Sequence, residues 1–389
     1  MDFKTDAIRA ALLSSQFHEH SPALFLTSSF TFASAAEAAD IFAERQQAFS
    51  YSRFGNPTVA MFEERLAQLE GGARCTATAS GMAAILSLAL HLLQAGDHIV
   101  CARNCFGSTL FMFNNTLAQF GISTTLVELT DLAQWQAAIQ PNTKMLFLES
   151  PANPLLDLGD IEALAALAHQ NGAALVVDNC LATPYLQQPL ALGADFSLHS
   201  ATKYLDGQGR IMGGAVISKD ATAGEALYRL MRSIGTTMGA FEAWVCLKSL
   251  ETLPLRMQQH CANALAVARF LEDHPRVDRV YYPGLDSHRQ RDLARKQMPR
   301  GSGGMVAFSV KGGKDEAWKV IDNAGFISIS GNLGDVRSII THPDTTTHWR
   351  VSPEDKAKVG ITPAVVRLSV GLEDADDLCA ALKNGLDQI

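Results

Sequence analysis

The segment Ser200-Ala201-Thr202-Lys203 places an amine next to two hydroxyl groups, directly after the apolar run FSLH (196–199). A lysine amine must lose its proton before it can form an imine with a carbonyl group, and partial burial lowers its pKa in that direction. The hydroxyls of Ser200 and Thr202 could both donate hydrogen bonds to a phosphate. The pattern therefore predicts an imine-forming lysine beside an anion site, although a surface lysine in a loop would have the same local sequence.

A second candidate is Asp178, which ends the apolar run ALVVD (174–178). A carboxylate at the end of a buried strand is unfavourable unless it has a partner, and a protonated pyridine nitrogen would be such a partner. Asp178 would keep that nitrogen protonated, so that the ring accepts electrons from a substrate carbanion. A helix N-cap and a magnesium ligand are the other roles that the position allows.

A third candidate is Ser80-Gly81-Met82, which joins the small-residue stretch TATA (76–79) to a helical pattern. Glycine lets a ligand approach the backbone closely, and the free amides at a helix start attract anions. The segment predicts a phosphate cradle, although many helices that begin with glycine bind nothing. The run GSGG (301–304) leads into the strand-like MVAFSV, so it is not interpreted as a dinucleotide-binding loop.

Short apolar runs alternate with amphipathic helical stretches between about residues 49 and 245. This alternation predicts an α/β fold with a mainly parallel sheet covered on both faces, and ligands bind such sheets at the carboxyl ends of the strands. The predicted strands are HIVCA (98–102), TTLVEL (124–129), MLFLES (145–150), ALVVDN (174–179), FSLHS (196–200) and GGAVIS (213–218).

Three regions follow from the pattern along the chain. Residues 1–48 are expected to form an arm, residues 49–245 the large domain, and residues 246–389 a smaller α+β domain. The last region opens with one long helical pattern that runs through Phe270. It then contains strand-like runs at VDRVYYPG, GGMVAFSVKG and VVRLSVGLE.

Composition and charge exclude several classes of function. The net charge of −8 argues against nucleic acid as a partner. The longest apolar stretch, residues 82–93, has about a dozen residues, whereas a membrane span needs about 20, so we expect a buried helix. The N-terminus does not have the pattern of a signal peptide. The seven cysteines lack the spacing of a disulfide framework or a zinc site, which fits a cytoplasmic protein without a metal.

Taken together, these segments resemble the Cys/Met-metabolism family of pyridoxal-phosphate (PLP) enzymes, and the resemblance runs nearly end to end. It implies the aspartate aminotransferase-like fold, known as fold type I. The segments that carry it, in the order and at the approximate spacing of the family, are YSRFGNPT (51–58), ASGMAAI (79–85), FGST (106–109), ESPANP (149–154), VVDN (176–179), HSATKY (199–204), LETLPLRM (250–257), YYPGL (281–285), GSGGMVAF (301–308), ITHPDTTTH (340–348) and VRLSVGLE (366–373).

The resemblance implies a role for each candidate residue. Lys203 matches the Schiff-base lysine and Asp178 the partner of the ring nitrogen, while Phe106 matches the ring that stacks on the cofactor. Arg367 matches the arginine that holds the substrate α-carboxylate, and a planar guanidinium suits that task. Asn153 would lie near the phenolic oxygen of the cofactor. The residues expected near the cofactor phosphate are Ser80, Gly81, Met82, Ser200 and Thr202.

The resemblance also implies an assembly. Tyr51 and Arg53 match residues that reach the phosphate of the neighbouring subunit's cofactor, so the arm and the segment after it are expected to complete a neighbouring site. Activity would then require at least a dimer. The family's usual assembly is a homotetramer built as a dimer of dimers.

Departures from the family pattern narrow the expected reaction. Phe106 stands where a tyrosine is common, so a phenolic hydroxyl is absent from the acid–base steps. Asn332, assigned to the substrate site, begins Asn-Leu-Gly where Ser-Leu-Gly is common, and Gly-Gln-Gly-Arg (207–210) replaces Gly-His-Ser-Asp. These variants resemble the bacterial O-succinylhomoserine sulfhydrylases. Ser108 stands where methionine γ-lyases have cysteine, which argues against that activity.

The expected reaction is γ-replacement, in which O-succinyl-L-homoserine and sulfide give L-homocysteine and succinate for methionine biosynthesis. Cystathionine γ-synthase, with cysteine as the thiol, is the nearest alternative, followed by a γ-lyase and by a non-catalytic protein with the same fold. The acyl group of the ester remains open, and Arg210 is a candidate partner for its distal carboxylate or part of a structural salt bridge. A nucleotide-binding oxidoreductase fits poorly, because no GxGxxG follows a strand.

Overall fold

A computed structural model describes residues 1–389, which form two β-sheets and fifteen α-helices. The strands are β1 (Arg74–Thr78), β2 (His98–Ala102), β3 (Ser123–Val127), β4 (Thr143–Glu149), β5 (Ala174–Asp178), β6 (Phe196–Ser200), β7 (Gly214–Ser218), β8 (Val277–Tyr281), β9 (Met305–Val310), β10 (Ser328–Ile329), β11 (Ile339–Thr341) and β12 (Val365–Ser369). The helices are α1 (Phe3–Arg9), α2 (Ala35–Phe42), α3 (Pro57–Glu70), α4 (Gly81–Leu92), α5 (Gly107–Phe111), α6 (Leu132–Ala138), α7 (Ile161–Gln170), α8 (Thr183–Leu186), α9 (Ala221–Ile234), α10 (Ala240–Leu250), α11 (Leu253–Glu272), α12 (Arg291–Gln297), α13 (Lys314–Asp322), α14 (Pro353–Lys358) and α15 (Ala375–Leu386).

The larger sheet has seven strands in the order β1-β7-β6-β5-β4-β2-β3. Strand β7 is antiparallel to both of its neighbours, and the other pairings are parallel, so six strands point the same way. Their carboxyl ends therefore lie along one edge of the sheet. This arrangement confirms the predicted α/β fold with a mainly parallel sheet.

The smaller sheet has five strands in the order β10-β11-β12-β9-β8. All of its pairings are antiparallel except that of β10 with β11. Its central strands, β9 and β12, are fully buried, and the hydrophobic core runs without a break from the larger sheet into this one. The second sheet confirms the expected α+β character of the C-terminal region.

The six strands predicted for the larger sheet are all present, with ends that differ by at most two residues. Strand β1 was missed, because alternating threonine and alanine carry little apolar signal. Its pairing with β7 nevertheless buries four of its five residues. The short strands β10 and β11 were missed for a similar reason, since two or three residues show no periodicity.

The prediction of one long helix through Phe270 was wrong. The chain forms α10 and α11 instead, and they meet at Glu251-Thr252. Pro254 explains the break, because proline has no N–H to donate to the carbonyl four residues earlier, that of Leu250 at the end of α10, and it is tolerated in the first turn of a new helix. The boundary placed at residue 246 lies inside α10, and the division into regions stays a prediction.

Helix α4 forms over the apolar stretch as predicted, but only five of its twelve residues are buried and Leu90 is 40% exposed. Ser80 caps its start by accepting the amide of Ala83 at 3.1 Å. Helix α7 likewise ends before Asn171 and Gly172, and the glycine has a φ of 66°. No helix in this structure combines the length and apolarity required to cross a membrane.

Candidate active site

A cavity of about 260 Å³ lies at the carboxyl edge of the larger sheet, where it meets the smaller one. The strands β1, β4, β5 and β6 all end there, and β12 reaches it from the smaller sheet. Because parallel strands bring their ends together, residues far apart in the chain surround one space. The lining includes nearly all of the predicted cofactor and substrate residues, namely Ser80, Gly81, Met82, Phe106, Asn153, Asp178, Ser200, Thr202, Lys203 and Arg367.

Lys203 lies in a short turn, Ala201–Leu205, that follows β6 directly, and its own backbone angles, φ −91° and ψ −134°, are not helical. Its Nζ donates a hydrogen bond to the Oδ1 atom of Asn332 at 2.5 Å, which places Asn332 beside the cavity as predicted for the substrate site. Burial is the main cause that lowers the pKa of Lys203. A lowered pKa favours the neutral amine, which is the form that attacks a carbonyl.

Asp178 is the last residue of β5 and pairs across the sheet with Glu149 of β4 and Leu198 of β6. Its Oδ1 atom accepts the amide of Cys180 at 3.0 Å, and its Oδ2 atom accepts no hydrogen bond from the protein. Burial raises the pKa of Asp178, and the contact with Cys180 opposes that change. A cationic partner in the cavity would stabilise this carboxylate.

The start of α4 faces the same cavity. The amides of Gly81 and Met82 have no acceptor within the helix, because the first turn of a helix lacks them. A Cβ atom on Gly81 would lie 2.8 Å from that of Ser200, so only glycine lets this turn pack against the end of β6. The Ser80 hydroxyl already caps the helix, while the hydroxyl of Thr202 contacts Gly213. Two backbone amides and nearby hydroxyls thus form an anion cradle.

Arg367 enters the cavity from β12 and has only 1% of its surface exposed. Its Nη2 atom donates to the carbonyls of Gly331 and Asn332, and its Nη1 atom donates to Oδ1 of Asn153 at 3.3 Å. Its Nε atom is buried and has no partner. Burial lowers its pKa to about 10, so it stays charged at neutral pH. A buried guanidinium with a free N–H group is suited to bind an anion.

Phe106 lies immediately before α5 and leaves 38% of its surface exposed while it lines the cavity. Its amide donates to Oε2 of Glu149 at 3.1 Å. A partly exposed aromatic ring in the wall of the cavity offers a flat apolar face to a planar ligand. The site therefore combines an amine, a carboxylate, an anion cradle, a buried guanidinium and an aromatic face.

Comparison with known proteins places this combination in a family. Residues 4–387 match the family model described as Cys/Met metabolism PLP-dependent enzyme. The chain belongs to this family. It is 52% identical to the O-succinylhomoserine sulfhydrylase of Pseudomonas aeruginosa over 99% of its length and 95% of that protein. It is 41% identical to the L-methionine gamma-lyase of Treponema denticola, covering 100% of this chain and 98% of that one.

Solved structures agree on the fold. The crystal structure of metB from Corynebacterium glutamicum superposes with a TM-score of 0.94 at 35% identity, over 100% of this chain and 98% of that one. The recognised family, the fold-type-I architecture and the PLP cofactor that the sequence implied are thus confirmed. The roles of individual residues remain predictions, for which the geometry supplies arguments.

The residues of the cavity fit PLP. Lys203 offers an amine to an aldehyde, Asp178 offers a carboxylate with an unpaired oxygen to a ring nitrogen, and the start of α4 offers amides to a phosphate. The Cβ atom that glycine lacks at position 81 would fill part of this cradle. The free N–H of Arg367 remains for a substrate carboxylate.

Two predicted cofactor residues do not line this cavity. Tyr51 forms an isolated antiparallel bridge with Ser29, and its side chain is 40% exposed. The guanidinium of Arg53 lies 4.5 Å from the ring centre of Phe54 and donates to the carbonyl of Arg232. Residues expected to serve a neighbouring subunit need not approach their own cavity.

Arg210 also lies outside the cavity, which argues against its contact with the succinyl group. Its backbone amide and Nε atom bind the two carboxylate oxygens of Asp206 at 2.7 and 2.9 Å. Arg210 therefore forms the structural salt bridge that was the alternative prediction, and its partner is Asp206.

Four polar residues that line the cavity were missed, namely Thr109, Glu149, Cys180 and Thr347. Glu149 ends β4 beside Asp178, and the argument applied to Asp178, a carboxylate at the end of a buried strand, would have found it. Cys180 accepts the amide of Ser200 at its sulfur, 2.7 Å away. A single cysteine after a strand gives no comparable signal in the sequence.

Proposed function

We propose that this chain catalyses γ-replacement on O-succinyl-L-homoserine, with sulfide as the incoming nucleophile, to give L-homocysteine and succinate. Similarity over almost the whole chain to the Pseudomonas aeruginosa O-succinylhomoserine sulfhydrylase carries the proposal. The gamma-lyases are less similar, at about 41% identity. Homocysteine is the immediate carbon and sulfur skeleton of methionine, so the reaction belongs to methionine biosynthesis.

In this proposal the residues that end the parallel strands hold the cofactor. Lys203 would bind its aldehyde carbon, Asp178 its ring nitrogen, and the amides of Gly81 and Met82 its phosphate. When bound, PLP supplies an electron-withdrawing pyridinium ring that makes the substrate α-proton acidic. Phe106 would pack against one face of that ring.

Substrate orientation would depend on Arg367. Its Nη2 atom donates to the carbonyls of Gly331 and Asn332 and its Nη1 atom to Asn153, so the guanidinium has a fixed position before any substrate arrives. The remaining N–H groups would bind the α-carboxylate of the homoserine ester. This contact sets the α-carbon beside Lys203, which lines the same cavity.

Proton transfer would depend on Lys203. With the cofactor bound, the Nζ atom of Lys203 would remove the substrate α-proton and then shuttle a proton at the β-carbon, so that succinate could leave from the γ-carbon. Hydrosulfide would add at the γ-carbon in its place, and Lys203 would return the protons. The side-chain oxygen of Asn332 holds the amine at this position through their hydrogen bond.

The active unit in this proposal is at least a dimer with shared sites, arranged as a homotetramer. Tyr51 and Arg53 lie away from their own cavity, which is consistent with a role in a neighbouring one. We also propose a cytoplasmic location. Its support is that none of the seven cysteines forms a disulfide, as expected in a reducing compartment.

The test is incubation of the purified enzyme with O-succinyl-, O-acetyl- and O-phosphohomoserine, each with and without sulfide, and identification of products by mass. We expect homocysteine to form fastest from the succinyl ester. Predominant cystathionine in a mixture of cysteine and sulfide would instead establish a cystathionine synthase. Release of ammonia and 2-oxobutanoate as the main products in the presence of sulfide would establish a lyase.

The Lys203→Ala variant tests the residue on which the proposal depends. It should lose both the visible absorbance of the lysine-bound cofactor and the formation of homocysteine. Retention of both properties would overturn the assignment of Lys203.

A further inference from the structure

The cavity contains a carboxylate that the proposed mechanism does not use. Glu149 is only 5% exposed and lies at the end of β4, next to Asp178 in the sheet. Its Oε1 atom accepts the amide of Asn153 at 3.2 Å, and its Oε2 atom accepts the amide of Phe106 at 3.1 Å. Each oxygen therefore holds a different loop.

The two loops carry different parts of the site. Phe106 begins the segment after β2 and offers its ring to the cavity, whereas Asn153 lies after β4. The side chain of Asn153 accepts a hydrogen bond from Arg367, which also donates to the carbonyl of Asn332. Glu149 is thus hydrogen-bonded directly to the residue that carries the aromatic ring, Phe106, and is connected to Arg367 through Asn153.

The electrostatic surroundings of Glu149 are unusual for a purely structural group. Burial raises its pKa well above the ordinary value, the negative charge of Asp178 raises it further, and the two amides and Arg367 oppose this. Two neighbouring carboxylates repel each other when both are charged. The pair therefore destabilises the fold, which suggests that each group has a role. A neutral side chain of similar shape would avoid this repulsion, but it would not offer two acceptors to two amides.

We propose that Glu149 is a positioning residue, which fixes the ring of Phe106 and the Asn153–Arg367 pair around the cofactor by accepting the two backbone amides. Its side chain lines the cavity and makes no hydrogen bond to Lys203, Asp178 or the start of α4. The inference rests on the proposed function only for the measurement of turnover. The position of the Phe106 ring affects cofactor binding whichever reaction of this family the enzyme catalyses.

The test compares Glu149→Gln with wild type as holoenzymes. Glutamine keeps one acceptor, but its NH₂ group faces the second backbone N–H, so one of the two loops is released. We expect PLP to bind, with a weaker visible circular dichroism signal because the ring is held less rigidly. We also expect kcat to fall by about ten- to a hundredfold, since small misplacements at a reacting centre have effects of that order.

Glu63→Gln is the matched control. Glu63 is also a buried glutamate, 6% exposed, that accepts a backbone amide, from Ala77 at 2.7 Å, and it does not line the cavity. This variant should keep the dichroism of the bound cofactor and the kcat of the wild type. An equal loss in both variants would mean that Glu149 acts only through general stability, and would overturn the proposal.

Wild-type dichroism and kcat in Glu149→Gln would overturn it as well. If that variant does not fold, Glu149→Asp decides the question, because aspartate keeps the charge but is too short to reach both amides. Its dichroism and kcat should fall, and wild-type values would refute the role. If the wild type makes no homocysteine, the proposed function fails, but the dichroism comparison still tests Glu149.

Discussion

At the scale of single residues, the site contains buried charged side chains whose hydrogen-bonding groups are only partly paired within the protein. Asp178 keeps an unpaired carboxylate oxygen, and Arg367 keeps an unpaired N–H group. Buried polar groups without partners are unfavourable in a finished fold and are usually satisfied by a ligand. The unsatisfied atoms of these two residues therefore mark where the cofactor ring and the substrate carboxylate are expected.

The first prediction concerns Arg367→Lys. A lysine keeps the positive charge but loses the planar fork, and its ammonium cannot also replace the contacts with Gly331 and Asn332. Losing hydrogen bonds to a charged group costs about 1.5–3 kcal/mol, so the KM for the homoserine ester should rise by roughly ten- to a hundredfold. Steady-state kinetics measure this, with the exposed Arg295→Lys as control. An unchanged KM would show that Arg367 does not bind the substrate.

The second prediction concerns Phe106→Tyr. The aromatic face is retained, so PLP should bind as in the wild type, but a phenolic hydroxyl becomes available for acid–base steps. We expect the ratio of homocysteine to 2-oxobutanoate to change. Product analysis by mass measures the ratio, and identical ratios would mean that this departure from the family pattern carries no functional information.

At the scale of secondary-structure elements, the direction of the strands decides which residues meet. Six strands of the larger sheet point the same way, and only β7 is reversed. The reversal matters, because it brings Gly214, the first residue of β7, between Ser80 and the end of β6. The phosphate cradle therefore depends on a strand that contributes no side chain to it.

The third prediction concerns Gly214→Ala. A Cβ atom at this position would lie 2.2 Å from the carbonyl oxygen of Ser80 and 2.7 Å from the amide nitrogen of Gly81. Both neighbours are backbone atoms, so the turn that starts α4 must move. We expect weaker PLP binding, seen as a higher Kd when the apoenzyme is titrated. An unchanged Kd would contradict the assignment of this turn to the phosphate.

The fourth prediction concerns pH and helix α11. His260 of α11 is fully buried, contacts the carbonyl of Val370 through Nδ1 at 2.7 Å, and has a pKa lowered by burial to about 4. Because the folded-state pKa lies below the unfolded value, its contribution to stability is present above about pH 6.5 and is lost as pH falls towards 4. The loss is about 3 kcal/mol for the full shift.

Urea unfolding at several pH values between 4 and 7 measures this dependence. His260→Gln should be less stable at pH 7 and should lose less stability on acidification than the wild type. Parallel pH profiles of the two proteins would show that His260 does not contribute to the acid sensitivity.

At the scale of the whole molecule, one subunit does not contain a complete version of the predicted site. Tyr51 and Arg53 lie outside their own cavity, on a segment preceded by exposed apolar residues such as Leu26 and Phe42, which are 71% and 63% exposed. Exposed large apolar side chains are typical of a surface that is covered by another subunit.

The fifth prediction is complementation between subunits. Lys203→Ala and Arg53→Ala should each be inactive alone, the first through its own site and the second through its neighbour's. After unfolding and refolding together in equal amounts, about a quarter of wild-type activity should return, because half of the dimers are mixed and each mixed dimer has one complete site. No recovery, with mixed dimers demonstrated by mass, would rule out a shared site.

Much of the molecule followed from local sequence. Strands such as β2 and β6 were predicted with their exact residues, because buried parallel strands are short apolar runs with strong signals. Lys203 and Asp178 were predicted as site residues for the same reason, as polar residues at or after the ends of such runs, and the structure places both in one cavity. The family resemblance added Arg367 and Asn153, whose local sequence alone carries no sign of a ligand.

The three-dimensional arrangement supplied the rest. That Glu149 contacts Phe106 and that Gly214 contacts Ser80 depend on which elements become neighbours. These partners lie 43 and 134 positions apart along the chain, and a side chain's local sequence does not record them. Residue types and periodicity determine which groups are available, whereas packing of the two sheets decides which of those groups share one cavity and which are already satisfied.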